Sequence, residues 1–350
     1  MKWSIKQWFN LIGGVAMVMA TGVPKVSADG ATSADKVVVA HRGASAYLPE
    51  HTLPAVAMAY AQGAHYMEQD VVMTRDGELL VWHDLTLDRN TDVAERFPGR
   101  ARENGTHYVI DFTLEEIRQL RVTEGYSVDE SGREASNYPQ RFPLWQSRFT
   151  AHTLAEQIEM VQGLNHATGQ DIGIYPEIKA PAFHLQHGQD ISMALVETLK
   201  QYGYTTKDSN VFLQTFEFDE LKRVHDEIFP ALGVEVKLVQ LIGGGDSYAW
   251  MLDAAGISEI AAYADGIGPH YSLIISDDSS RGDIRVTELV SLAHAAGMAV
   301  HPYTFRADAG MVPDYAADFE DMLALFYDYA GVDGVFTDFP DRAMNFLRNR

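Results

Sequence analysis

Eight short apolar runs, each followed by a helix-like stretch, constrain this 350-residue chain more than any other feature. The runs are Val37–His41, His65–Val71, Ile172–Ile178, Val211–Phe216, Val236–Leu241, Asp265–Pro269, Ala299–Thr304 and Gly334–Thr337. Between them lie stretches such as "SMALVETLKQYG" and "TELVSLAHAAG", and Thr153 to Glu156 has the spacing of a capping box. Strands that alternate with crossover helices pair in parallel and are buried on both faces. Eight such units predict an α/β fold, a (β/α)8 TIM barrel; a doubly wound sheet is the alternative.

Two segments exceed a minimal barrel. After the second run, "MTRDGELLVWHD" carries Asp76-Gly77, a two-residue hairpin signal. Pairing Arg75 with Glu78 sets His83 opposite Asp70, so an extra strand returns His83 to the carboxyl end of the second strand. Beyond it, an insertion from about residue 88 to 150 holds nine arginines, no lysine and eleven acids. A long insertion in a βα loop sits on the catalytic face of a barrel, where it can act as a lid. A loosely attached surface elaboration is the alternative; deleting about Asn90 to Arg148 should leave a folded barrel with altered substrate preference.

The formal net charge of -22 argues against nucleic acid or an anionic membrane as partner. An acidic protein that handles an anion needs focused positive charge. The chain has no cysteine, which excludes disulfides and thiolate chemistry. Lys2 and Lys6 precede the apolar stretch Leu11 to Val23, and Val26-Ser27-Ala28 offers small residues for cleavage. This is the pattern of a signal peptide over residues 1–28, removed after Ala28, with one catalytic domain over 29–350. An exported product follows, periplasmic or secreted.

The charged residues at the strand ends define a chemistry. His41 and Arg42 close the first run, before Gly43. Glu68 and Asp70 are two apart and share one face of the second strand. Glu177 and Lys179 repeat that spacing in the third, and Gln214 and Phe216 in the fourth. Carboxylates directed together into a barrel repel, and burying one unpaired costs several kcal/mol in rough terms. A divalent cation relieves this, and oxygen-only ligands favour Ca²⁺ or Mg²⁺. Arg42 and Lys179 add positive charge, and His41 and His83 can reach opposite sides of one site. Such equipment suits a phosphodiester, with one imidazole taking a proton from the nucleophile and the other giving one to the leaving oxygen.

Read in order, "HRG", "PEHT", "EQD", "HD" and "PEIK" resemble the glycerophosphodiester phosphodiesterase family, most of all its bacterial periplasmic members. The resemblance extends from about residue 37 to 345 and includes "GLNHATG", "YADGIGP", "HPYTFR" and "GVFTDFP". It implies that Glu68, Asp70 and Glu177 hold Ca²⁺ or Mg²⁺, that His41 and His83 are the acid–base pair, and that Arg42 and Lys179 bind phosphate. The implied products are sn-glycerol 3-phosphate and an alcohol such as choline or ethanolamine. The nucleophile implied is the neighbouring glycerol hydroxyl, through a cyclic phosphate that water opens. His51 stands where many members have Asn, so Glu50 either orients Arg42 or approaches the metal through water. Gln214, Phe216 and Phe305 are expected at the substrate, with Asp338 shaping the glycerol pocket. His184, His187 and His270 are candidates for the rim, and His65 belongs to the stability end. A lysophospholipase D or phospholipase C-like enzyme on the same residues, and a non-catalytic exported binding protein, are the competing readings.

Overall fold

The computed structural model describes residues 36–350; the signal segment expected at 1–28 lies outside the described residues. Eight parallel strands form the barrel: β1 (Val37–Ala40), β2 (Tyr66–Met73), β3 (Gly173–Ile178), β4 (Phe212–Thr215), β5 (Lys237–Ile242), β6 (Gly266–Pro269), β7 (Ala299–Val300) and β8 (Gly334–Thr337). They neighbour one another in chain order, with β8 beside β1. The ring closes between β7 and β8 beyond the end of β7, where Phe305 bridges Thr337 and the Phe336 N–H donates to the Pro302 carbonyl at 2.9 Å. The seventh run extends to Thr304 in sequence, but β7 holds only two residues, because Pro302 has no N–H for a ladder. Among the described residues, no helix is long and apolar enough to cross a membrane.

Alternation within the strands builds two layers of core. Met67 and Val71 of β2 turn outward to the apolar layer between barrel and helices. Tyr66 turns inward, where Val39, Tyr175, Phe212, Val239 and Phe336 fill the barrel. Tyr175 stacks on Phe212 with ring centroids 5.0 Å apart, so this end of the barrel is plugged by aromatic rings. Glu68 and Asp70 follow Tyr66 on the same face, one and two layers nearer the carboxyl ends. The helix Leu154–Thr168 starts with the capping box expected of Thr153 and Glu156 and ends on Gly169 at φ 71°.

The hairpin differs from expectation by one residue. Val71 pairs with Val81 and Met73 with Leu79, so Trp82, not His83, follows opposite Asp70. The connection is longer than two residues: Thr74 N–H donates to Glu78 O, and Gly77 takes φ 83°. A three-residue turn with glycine in the left-handed position is the next common hairpin after the two-residue form. His83 thus lies past the paired strand, which ends at Val81, and its direction is not set by the pleat.

The insertion carries its own core. Val93, Val109, Phe112, Ile117, Leu120, Val122 and Phe149 pack with Val72, Leu80, Trp82 and Leu87 of the hairpin region. It is therefore anchored by buried apolar surface that begins on β2 itself, which bears against the expectation that its deletion spares the barrel. A small antiparallel ribbon, Tyr126–Val128 with Glu134–Ser136, lies within it, as do the short helices Val93–Arg96 and Leu114–Ile117.

Candidate active site

The chain leaves β1 through a sharp turn. Arg42 has φ 58° and Gly43 φ 86°, and a Cβ on Gly43 would lie 2.8 Å from the Ala55 carbonyl carbon. Glycine is required there on both counts. The turn directs the Arg42 N–H to Glu68 Oε2 at 2.9 Å. Its guanidinium donates to Glu50 Oε2 at 3.0 Å and lies 3.4 Å from Asp70 Oδ2.

Register then gathers the carboxylates. Asp70 of β2 stands beside Glu177 of β3, and Glu177 beside Gln214 of β4. Glu68, Asp70 and Glu177 are buried and offer oxygens within 4.8 Å of one another. Lys179 Nζ lies 2.9 Å from Glu177 Oε1 and 3.8 Å from Asp70 Oδ1. Gln214 donates to Glu68 Oε1 at 3.3 Å, and His51 Nε2 is 2.7 Å from Asp70 Oδ2. Burial and the neighbouring Asp70 push the Glu68 carboxyl well above its ordinary range. Burial, with Asp70 adding, raises Glu177 to about 8 against the pull of Lys179. For Asp70, burial is outweighed by Lys179, His83 and His51, which hold it well below. The trio cannot ionise together at neutral pH on the charge this chain supplies, and its all-oxygen donor set fits a hard divalent cation.

Two imidazoles flank the trio. His41 Nδ1 is 2.5 Å from Asp338 Oδ1, and His83 Nδ1 is 2.5 Å from Asp84 Oδ1. An ionised carboxylate only accepts, so each Nδ1 carries the proton and each Nε2 is left with a lone pair. His41 Nε2 lies 3.9 Å from Glu68 Oε2. Burial, then the Arg42 guanidinium, lowers both imidazoles to about 4, with the aspartates opposing. Both therefore rest neutral at pH 7.

These groups line a cavity of about 190 Å³, together with Arg42, Lys179 and the three carboxylates. Phe216, His270, Tyr303 and Arg306 stand on its wall as well. Phe305 is not there, contrary to expectation. Thr304 and Arg306 line the cavity, while Phe305 between them turns into the helix layer and packs edge-on to Phe326 at 4.9 Å. Asp338 also lies outside the cavity lining, behind His41. Glu50 holds Arg42, Arg89 and Asn90, as the first of its two expected roles requires. Among the rim candidates His270 reaches the cavity; His184 and His187 do not. His65 sits at the opposite end, accepting from the Val38 N–H at 2.9 Å. The aspartate partners of the imidazoles, and Arg141 and Arg306 beside them, were not indicated by any local pattern except the His-Asp dipeptide at 83–84.

A closed parallel barrel with its charged residues gathered at the carboxyl ends of β1 to β4 defines an enzyme of the (β/α)8 class. The model of the glycerophosphoryl diester phosphodiesterase family matches residues 41–342, and the chain belongs to that family. It is 46% identical over 331 residues to the glycerophosphodiester phosphodiesterase of Haemophilus influenzae, covering 90% of each chain. Identity to the Treponema pallidum enzyme of the same description is 38% over 355 residues, covering 97% of this chain and 96% of that one. Among solved structures, a putative glycerophosphoryl diester phosphodiesterase from Silicibacter pomeroyi shares the fold with TM-score 0.67 at 22% identity, over 90% of this chain and 94% of that one. A phosphodiesterase of Oleispira antarctica, solved with the product sn-glycerol-3-phosphate, matches with TM-score 0.59 at 23% identity, over 89% and 96%. The chain is thus a glycerophosphodiester phosphodiesterase, a phosphoric diester hydrolase.

Proposed function

We propose that the chain hydrolyses small glycerophosphodiesters, such as glycerophosphocholine and glycerophosphoethanolamine, to sn-glycerol 3-phosphate and the free alcohol. Glu68, Asp70 and Glu177 hold one divalent cation, Ca²⁺ or Mg²⁺, and His41 and His83 divide the acid and base roles. The observation that carries this reading is the pair of imidazoles, each held through Nδ1 by a carboxylate and each lining the same cavity as the acidic trio. The 190 Å³ cavity also suits a polar headgroup better than an acyl chain. The product bound by the Oleispira antarctica enzyme supports the same substrate class. Export through the N-terminal signal is part of the proposal and rests on the sequence pattern alone.

When bound, the ion supplies positive charge against the non-bridging phosphate oxygens. The residues do the rest. Arg42 and Lys179 bind the phosphate and neutralise charge as it develops. One neutral imidazole accepts, at Nε2, the proton of the neighbouring glycerol hydroxyl as that oxygen forms its bond to phosphorus. The other delivers a proton to the departing alcohol oxygen as its bond breaks, leaving a cyclic phosphate that water opens with the roles reversed. The acid must be charged for this, and the nearby phosphodiester anion raises the affinity of that imidazole for a proton. We assign His41 as base and His83 as acid, since His83 rides on the hairpin below the insertion. Gln214, through Glu68, steadies the acidic trio, and Phe216 borders the substrate.

The test is an assay of glycerol 3-phosphate from glycerophosphocholine in Ca²⁺, Mg²⁺ or EDTA. Release with either ion and its loss in EDTA are expected. Full turnover after exhaustive chelation, or release of free glycerol in place of glycerol 3-phosphate, would overturn the proposal.

A further inference from the structure

No residue of the insertion lines the cavity, yet two of its arginines reach the carboxylates that grip the imidazoles. Arg141 donates to Asp338 Oδ2 at 2.6 Å, on the oxygen not used by His41. Arg89 donates to Asp84 Oδ2 at 2.6 Å, again on the oxygen not used by His83. The two arrangements repeat one plan: imidazole, aspartate, guanidinium.

The surroundings of Arg141 are built for this. Its side chain is 4% exposed and forks onto Asp308 at 2.9 and 2.6 Å, so its buried charge is matched. A further N–H donates to the Ser45 carbonyl at 3.3 Å, and the guanidinium lies 3.9 Å from the centre of the Tyr138 ring. Arg306, from the barrel side, shares Asp338 Oδ2 at 2.8 Å. Arg89 also binds Glu50, the carboxylate that holds Arg42. A carboxylate tied at one oxygen can still rotate and let its imidazole turn; a guanidinium N–H on the other oxygen opposes that rotation.

We propose that Arg89 and Arg141 are positioning residues, through which the insertion fixes the orientation of both His–Asp pairs. The insertion then governs turnover rather than substrate affinity. This rests on the acid–base reading of His41 and His83, and the test separates the two.

The full chain, in Ca²⁺, would be made as Arg89→Met, Arg141→Met and the double variant Arg141→Met/Asp308→Asn, which also removes the buried Asp308 charge that Arg141 matches. Selective ¹⁵N labelling of histidine reports the tautomer of each ring at neutral pH. The Nδ1–H signal of His41, bonded to Asp338, should shift and exchange faster in both Arg141 variants and stay unmoved in Arg89→Met, with the converse for His83. Turnover of glycerophosphocholine should fall roughly ten- to hundredfold in kcat, with KM little changed in the Arg141 variants. A role in folding alone would lower Tm and leave both Nδ1–H signals unmoved, and that result, or unchanged kcat in folded variants, overturns the proposal. His41→Ala and His83→Ala are the controls. If these keep full turnover, the acid–base reading fails, and the Nδ1–H signals alone decide whether the arginines position the rings.

Discussion

Phe112→Ala asks whether the insertion is a separable lid or part of one folding unit. Phe112 is fully buried, its ring 5.4 Å from Phe97 and covered by the Arg100 guanidinium at 4.5 Å. Its carbonyl accepts the Arg75 N–H of the barrel hairpin at 2.8 Å, and it belongs to the same apolar cluster as Val72, Leu80 and Trp82. Truncating such a phenylalanine costs about 3–5 kcal/mol, from lost transfer energy and the cavity left behind. Loss of the stacked cation adds about 0.5–1 kcal/mol. For a chain of this size, about 2 °C per kcal/mol is the scale, so Tm should fall by about 7–12 °C. Calorimetry and far-ultraviolet circular dichroism should show one transition, shifted whole. A separate early transition with the main one unmoved would refute the argument that the hairpin and insertion share a core.

Two further outcomes follow from single sites. Glu124 is 3% exposed with Oε2 unpartnered, and burial raises its carboxyl to about 8 although Arg141 opposes this. Its folded value exceeds its unfolded one, so its contribution is fully present below about pH 4.5 and is lost as pH rises through about 8, at most about 5 kcal/mol. Glu124→Gln should therefore gain stability over the parent between pH 5.5 and 8.5 in urea melts; an equal difference at the two pH values would sink this. Gly43→Ala should destabilise by at least about 1–3 kcal/mol and cut turnover, because φ 86° and the Ala55 backbone oppose a side chain and Arg42 sits in the same turn. A variant with parental Tm and kcat would contradict that.

The barrel was legible because its strands are continuous apolar runs, and the acidic trio because i, i+2 spacing is a direct statement about one face. Local arithmetic reached its limit at the hairpin: one extra turn residue, with Gly77 in the left-handed position, moved Trp82 to the place assigned to His83. Phe305 shows the same limit, since alternation past the two residues of β7 decides which side chains face inward. Apart from Asp84, adjacent to His83, the outer partners of the imidazoles were not legible. His41 and Asp338 are 297 residues apart, and Arg141 and Asp338 are 197 apart. No spacing rule links such positions; only closure of the ring from β8 to β1 and the docking of the insertion do. One signal was present unread: nine arginines without a lysine in the insertion, the composition of a segment that needs planar forks more than solubility.

The central claim is that two imidazoles divide the work on a phosphodiester. It is tested most directly by comparing leaving groups in His41→Ala and His83→Ala. Glycerophosphocholine has a poor leaving group and needs the acid; the p-nitrophenyl ester of glycerol phosphate keeps the same nucleophile and scarcely needs it. Each variant should lose roughly a hundredfold or more in kcat on the choline ester. On the p-nitrophenyl ester His83→Ala should recover most of its turnover and His41→Ala should not. Recovery by His41→Ala alone would exchange the two assignments. Full turnover on the choline ester by either variant would contradict the two-imidazole account itself.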